Sequence, residues 1–397
     1  MAAVSSTVPS SVVARFRRWR PTVGGAVRGV GRVLLGVVIA VAISLALGAW
    51  TSVQGVTLPA VTGGSAVGRI ELALTDTSRP DAFEHDGRSR ELAIWIWYPS
   101  TTDATGATAD YYPTGWSALP APFPFAQDPT RVSTNSHANV PLDGTPPAVI
   151  LQPGLGQAVG HYTALAEDLA SHGYAVVGIN ETGSAGTAFP DGHVVPATAE
   201  GSVMAANVDD WYAEADRVTT TWVADAQFVV QALEAAPPAI GALDFSRVAY
   251  VGHSLGGASA FEACSQERRC AAAVDLDGTL WTAVRRTGLQ APHLLVQKAR
   301  PDGCDEFCRR ATADFDAVMA HGGRQVAIAG SVHQDFQDDG LMPAMANRVG
   351  RGSIDAQRMT AIVRDTVRAF LDVHIRGSEP SELAAALGRY PEVSVIR

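Results

Sequence analysis

One short stretch of the chain carries the residue types that acyl-transfer chemistry needs: Gly252-His253-Ser254-Leu255-Gly256-Gly257. It is the one G-x-S-x-G in the sequence. A run of β formers, Arg247 to Val251, precedes it, and a helical pattern, Ser254 to Cys264, follows. In that setting a sharp strand-to-helix turn strains the serine backbone, and the flanking glycines allow close chain approach. The hydroxyl then stands at a helix N-terminus, where unpartnered N–H groups favour developing negative charge. The competing reading is a Gly-rich nucleotide-binding turn. No G-x-G-x-x-G follows a first strand, however, and no G-x-x-x-x-G-K-[ST] occurs.

A nucleophilic serine needs a base and an acid, and in this chain order the base comes last, after the final strand. Of the ten histidines, His333 fits, in Gly330-Ser331-Val332-His333-Gln334-Asp335-Phe336. His253 adjoins the serine, but neighbouring side chains point apart. His293 opens a strand, His321 ends a helix and His374 lies on the closing helix. His85, His137, His161, His172 and His193 precede the serine. The acid must hold the imidazole tautomer, and spacing leaves it open. Asp277 ends the strand after the serine helix, and Asp302 and Asp305 follow the next strand. Asp275 lies deeper on the same strand face as Asp277 and reads as structural. Two N–H donors must hold the oxyanion. One is Leu255, directly after the serine. The other is Leu155, in the turn Gln152-Pro153-Gly154-Leu155-Gly156 after an earlier strand. Phe189, Trp211, Trp281 and Phe336 are apolar loop residues that could line a substrate. Nothing in this set calls for a metal or an organic cofactor.

The elements that must position these residues follow a strand–helix rhythm. Arg69 to Leu74 and Glu91 to Tyr98 alternate like an early strand pair, and residues 100–147, rich in Pro, Ser, Thr and Gly, read as a long loop. Strands are then expected at Ala148 to Leu151, Ala175 to Ile179, Arg247 to Val251, Ala271 to Leu276, His293 to Gln297 and Gln325 to Ala329. Helices are expected at Tyr162 to Ser171, Ala213 to Ala235, Ser254 to Cys264, Glu306 to His321 and Ala356 to His374. Short apolar strands alternating with amphipathic helices specify a mostly parallel sheet with helices on both faces. In such sheets ligands bind beyond the carboxyl ends of the strands, where the candidate residues lie.

Ahead of this body, Val33 to Trp50 has 18 residues without a charge, about 27 Å as a helix. Six arginines (Arg15, Arg17, Arg18, Arg20, Arg28, Arg32) precede it, and no charge follows until Arg69. By the positive-inside rule the N-terminus stays cytoplasmic and the remainder is exported. The expected organisation is a basic tail (1–32), a single-pass signal anchor (33–50), a linker (51–68), a catalytic domain (69–375) and a C-terminal tail (376–397). The alternative is a cleaved signal peptide and a secreted protein. Export permits disulfides, and the four cysteines are expected to pair locally as Cys264–Cys270 and Cys304–Cys308; zinc spacing is absent. Net charge is −10, and with the basic N-terminus set aside the body is more acidic still. Such a surface is not built to bind nucleic acid. The chain has one lysine, Lys298, and no internal repeat. A monomer is expected.

Several motifs together resemble the platelet-activating factor acetylhydrolase family, of the plasma and intracellular isoform II type, over most of residues 68–375. They are Asp76-Thr77-Ser78-Arg79-Pro80, Ile96-Trp97-Tyr98-Pro99, Pro153-Gly154-Leu155-Gly156, Leu169-Ala170-Ser171-His172-Gly173-Tyr174, Phe189-Pro190-Asp191-Gly192, the serine motif, Asp275-Leu276-Asp277-Gly278, and Val332-His333-Gln334-Asp335-Phe336. The resemblance implies an α/β-hydrolase fold and a triad of Ser254, Asp277 and His333, the acid lying 23 residues after the serine. It also implies Leu155 and Leu255 as oxyanion donors and a short acyl chain on a phospholipid-like or other lipid ester. A broader lipase, cutinase or polyester hydrolase shares the same triad. A silent hydrolase-like binding module is the reading from another class. The sequence departs from the family at Gln152-Pro153, where relatives often place His before Gly, and at Asn180-Glu181-Thr182.

Overall fold

The computed structural model describes residues 23–101, 106–119, 125–205, 207–299, 305–320, 322–346 and 351–397. The chain divides into two compact units, Met1–Trp50 and Thr51–Arg397. Helix α1 runs from Val23 to Ser52, a longer helix than the apolar run alone predicts. Its stretch Arg32–Ser52 has a mean hydropathy of 2.5 and is long and apolar enough to cross a membrane. Arg15, Arg17, Arg18 and Arg20 lie outside the described residues.

The second unit is built on a sheet. Its strands among the described residues are β1 (Ala66–Pro80), β2 (Ser89–Ser100), β3 (Ser136–Ala138), β4 (Pro147–Gln152), β5 (Ala175–Asn180), β6 (Asp244–His253), β7 (Cys270–Leu276), β8 (His293–Lys298), β9 (Arg324–Ile328) and β10 (Val393–Val395). Their spatial order is β10-β9-β8-β7-β6-β4-β5-β2-β1-β3. Neighbours from β9 to β5 are parallel, whereas β2 lies antiparallel to both β5 and β1. Alternate residues of each strand enter two separate cores, as a period of two requires. Trp95, Trp97, Val149, Leu151, Ala249 and Val251 enter one core. Ile94, Ile96, Ala148, Ile150, Val248 and Tyr250 enter the other. Helices α2 (Thr163–Ser171) and α6 (Ala356–Leu371) close the first core through Leu165, Leu169, Ile362, Val367 and Phe370. Helices α3 (Val208–Ala235), α4 (Leu255–Gln266) and α5 (Glu306–Met319) close the second through Val223, Val229, Phe261, Phe315 and Val318. This is the doubly covered, mostly parallel α/β-hydrolase type of sheet.

Boundaries differ from the periodicity where capping decides them. Helix α3 starts at Val208, five residues before Ala213, because the Asn207 side chain accepts the Asp210 N–H at 3.0 Å. Helix α5 is capped by Asp305, whose carboxylate accepts the Cys308 N–H at 2.8 Å; His321, its expected end, lies outside the described residues. Helix α6 ends at Leu371 and continues as a π-helical turn, Asp372–Arg376, that closes at Gly377 with φ +78°. The stretch read as a C-terminal tail contains α7 (Pro380–Gly388) and β10. Leu383 and Leu387, one helical turn apart, bury in the first core. The stretch read as a linker is fastened to the body. Arg364 donates to the Pro59 and Ala60 carbonyls at 3.1 and 3.0 Å, and Asp168 accepts from Thr62 N–H at 2.8 Å.

A buried ion cluster ties the start of β2 to α3. Arg90 is fully buried and donates to Asp225 Oδ2 at 2.8 Å, Asp81 Oδ2 at 3.1 Å and the Thr182 carbonyl at 2.6 Å. Arg79 bridges Asp76 and Asp225, so the Asp76–Pro80 motif belongs to this clamp. Burial pushes the Asp225 carboxyl up, but Arg90 and Arg79 outweigh it and hold the group below its ordinary range. Truncating one partner strands a buried charge. Asp225→Ala is therefore expected to cost about 3–5 kcal/mol, read as a lower urea midpoint; a midpoint equal to wild type would refute the clamp.

Candidate active site

Four of the five candidate residues for chemistry sit on turns at the carboxyl ends of β4, β6 and β7, and His333 follows β9. Ser254 follows β6 directly with φ 57° and ψ −120°, a region that non-glycine residues rarely occupy. Its backbone N–H donates to the Leu276 carbonyl at 2.9 Å, which holds it against the end of β7. Close approach makes the turn possible. A Cβ on Gly252 would lie 2.0 Å from the Gly256 carbonyl oxygen, and one on Gly256 would lie 2.3 Å from that of Gln152. The second contact brings the serine turn against the Gln152–Gly156 turn. Leu255 opens α4, so its N–H belongs to the first turn, which has no acceptor within the helix. Leu155 packs in the same apolar cluster as Leu255.

Asp277 stands one residue beyond β7, also at a positive φ of 53°. Its N–H donates to the Val296 carbonyl at 2.8 Å, anchoring it between β7 and β8. Asp275 does not reach the site chemistry. It accepts the Gly278 N–H at 2.7 Å and so tightens the turn that carries Asp277, while burial pushes its own carboxyl well up. His333 begins a 3-10 turn, His333–Phe336, shaped by Asp335, which accepts the Val332 N–H at 2.8 Å. The relay is continuous: His333 Nε2 lies 2.9 Å from Ser254 Oγ, and His333 Nδ1 lies 2.7 Å from Asp277 Oδ2. Asp277 Oδ2 also accepts from Lys298 Nζ at 2.7 Å. Burial raises the Asp277 carboxyl, yet His333 and Lys298 outweigh that effect and hold it below the ordinary carboxylate range. With Asp277 ionised, the imidazole carries its proton on Nδ1 and turns a free Nε2 lone pair toward the serine.

Of the alternative acids, Asp305 is the α5 cap and Asp302 lies outside the described residues.

His253, set aside in the sequence because neighbours point apart, braces the site from behind. Its Nε2 lies 2.9 Å from the His333 carbonyl oxygen, and its Nδ1 lies 2.7 Å from Tyr162 Oη. The carbonyl can only accept, so Nε2 donates, and the one Tyr162 proton lies between two acceptors, His253 Nδ1 at 2.7 Å and Gln157 Oε1 at 2.6 Å. Burial pushes this imidazole down to about 3 and so keeps it neutral, with Nδ1 as an acceptor. Tyr162 Oη in turn accepts the Gly154 N–H at 3.0 Å. One buried chain thus joins the Leu155 turn, the serine strand and the His333 loop. Tyr162 and His253 had no sequence signal beyond their places in expected elements. Lys298 had one, as the only lysine, at the carboxyl end of a strand.

The apolar candidates separate. Trp281 and Trp211 pack with Leu155, Leu255 and Tyr212 in one cluster beside the site. Phe336 is buried beneath it and stacks at 6.1 Å on His253. Phe189 packs instead with Ala93 and Val195 and stacks on His193, apart from that cluster. Cys264 and Cys270 form a disulfide between the end of α4 and the start of β7. Cys308 is disulfide-bonded as well, and Cys304 lies outside the described residues.

Residues 221–380 match the family model of platelet-activating factor acetylhydrolase, isoform II. That stretch holds Ser254, Asp277, Lys298 and His333 together. A curated relative, a probable 1-alkyl-2-acetylglycerophosphocholine esterase of Arthroderma benhamiae, is 24% identical over 62% of this chain; the match spans 65% of that relative's length. Among solved structures, a ferulic acid esterase from Streptomyces cinnamoneus is similar over 87% of this chain and all of its own. Its TM-score is 0.75 and its sequence identity 28%. The likeness to the ferulic acid esterase thus extends beyond the stretch matched by the acetylhydrolase model to nearly the whole fold.

Proposed function

We propose that the protein is a serine ester hydrolase that removes short acyl chains from phospholipid-like or other lipid esters. The observation that carries this reading is the relay from Ser254 Oγ through His333 to Asp277, at 2.9 and 2.7 Å. Ser254 attacks the ester carbonyl as His333 takes its proton. The Leu155 and Leu255 N–H groups hold the oxyanion. His333 then returns the proton to the leaving alcohol, and water releases the acyl group by the same route. Asp277 keeps the imidazole in its working tautomer. The acetylhydrolase family match and the Arthroderma relative support the short acyl chain and the lipid leaving group.

A second reading, an aromatic acyl ester as substrate, is favoured by the ferulic acid esterase likeness and by the aromatic wall. Tyr212 and Trp281 meet edge to face at 4.8 Å, and Phe307 lies 5.7 Å from Trp281. The apolar helix Arg32–Ser52 is proposed as a single-pass anchor that leaves the hydrolase monomeric and outside the cytoplasm, where its disulfides persist; cleavage behind that helix would instead secrete it. The test compares hydrolysis of an acyl series, an sn-2-acetyl phospholipid and methyl ferulate by the full chain in detergent. Highest kcat/KM on the acetyl phospholipid is expected. Preference for long chains, or for the ferulate, would refute the short-chain lipid substrate.

A further inference from the structure

Lysine and arginine together number 30 in this chain, and Lys298 is the one lysine. It sits on the candidate acid. Lys298 Nζ lies 2.7 Å from Asp277 Oδ2, the same oxygen that meets His333 Nδ1 at 2.7 Å, and the Lys298 N–H donates to Asp277 Oδ1 at 3.0 Å. Strand register places it there: Leu276 pairs with Val296, which sets the ends of β7 and β8 side by side. We propose that Lys298 is a positioning residue of the hydrolytic triad, whose ammonium charge holds the Asp277 carboxylate in the orientation that serves His333. The inference rests on the triad reading above.

The choice of lysine has a chemical reason. A guanidinium fork tends to grip both oxygens of a carboxylate. Here Oδ1 is already taken by a backbone N–H, and Oδ2 must keep a lone pair for His333. A compact ammonium takes one lone pair and leaves the other. The charged or titratable groups that act on Asp277 are His333 after β9, Lys298 on β8, Asp275 on β7 and His253 on β6. Burial disfavours charge on Asp275 and keeps His253 neutral, and neither group brings a positive charge in place of Lys298. Without it, burial acts on Asp277 against His333 and the Lys298 backbone N–H, with no full positive charge fixed beside the carboxylate. The carboxyl then takes up a proton at a higher pH, and a protonated Asp277 no longer orients the imidazole.

The lone lysine allows a test that separates charge from bulk. Its side chain is 41% exposed while that of Asp277 is 5% exposed, so amine reagents reach Nζ. Acetylation with an N-hydroxysuccinimide ester forms the Nζ–C bond, breaks the ester C–O bond and releases the Nζ proton to water, which removes the charge. Reductive dimethylation with formaldehyde and cyanoborohydride keeps the charge and one N–H. The full chain in detergent, untreated and in both modified forms, is compared with K298M and K298R. Fluorophosphonate labelling of Ser254 and kcat and KM on 4-nitrophenyl acetate are read across pH.

Acetylation and K298M are expected to lower kcat roughly 10- to 100-fold at unchanged KM, below the about 10⁴ that losing the acid's role costs. They should also move the acid limb up by about half a pH unit or more. Dimethylation should leave kcat within about twofold, and acetylating K298R, which has only its terminal amine, should change nothing further. Wild-type kcat and acid limb in K298M, or equal damage from dimethylation and acetylation, would overturn the role of Lys298 alone. An untreated chain in which Ser254 takes no label would overturn the triad reading, and this inference with it.

Discussion

Ser254→Ala is expected to lower ester hydrolysis on the order of 10⁶-fold, because one oxygen atom is the acyl acceptor and nothing nearby replaces it. The substitution is clean. Ser254 already occupies φ 57°, alanine meets the same backbone strain, and the turn is held by backbone contacts at Gly252 and Gly256 rather than by the hydroxyl. The variant should therefore melt at the wild-type temperature. A preparation that folds normally and keeps more than a trace of wild-type kcat would place the nucleophile elsewhere.

Asp277→Asn is expected to cost about 10⁴ in kcat while leaving the fold intact. Asparagine tolerates the positive φ of 53° at this position, so backbone collapse is not the cause. The loss is chemical. An amide presents one acceptor where the carboxylate presents two, and that acceptor faces three donors: the Lys298 ammonium, the Lys298 N–H and His333 Nδ1. When the Lys298 backbone N–H wins the oxygen, the amide NH2 takes the Oδ2 place beside His333 and drives its proton to Nε2, the nitrogen that must accept from Ser254. The stability effect has a defined sign. The folded carboxyl sits below its ordinary value, so Asp277 contributes stability above the unfolded value of about 3.9, lost as pH falls through the folded value. Urea midpoints of Asp277→Asn and wild type should therefore differ at pH 7 and converge as the pH falls below the unfolded value and through the lower folded one. A kcat within tenfold of wild type would contradict the assigned acid.

Most of the fold was legible because its signals are local. Alternating strands, glycine-stopped helices and the strand–turn–helix setting of Ser254 each lie within a dozen residues. The structure brings Ser254, Asp277 and His333 together, but spacing alone left Asp277 and the pair Asp302 and Asp305 open, since a triad is a tertiary arrangement. Other features depended on partners far along the chain. Residues 51–68 lack charge and read as a linker, yet they are fastened by Arg364 and Asp168. The last 22 residues carry only a short helix and an edge strand, whose apolar positions gain meaning against β9 and the first core. His253 and Lys298 act through groups that only the sheet register places beside them. Phe189, an aromatic residue in a glycine-rich loop, packs on Ala93 of β2 and on Val195, contacts that only the fold brings about.

The most direct measurement is to trap the acyl-enzyme. The full chain is mixed with 4-nitrophenyl acetate, quenched in acid within the burst, digested and mapped by mass. The account predicts one acetyl group on the peptide and side chain of Ser254, formed in wild type and almost absent in His333→Ala. Turnover without an acetylated Ser254, or acetylation that proceeds equally well without His333, would contradict it.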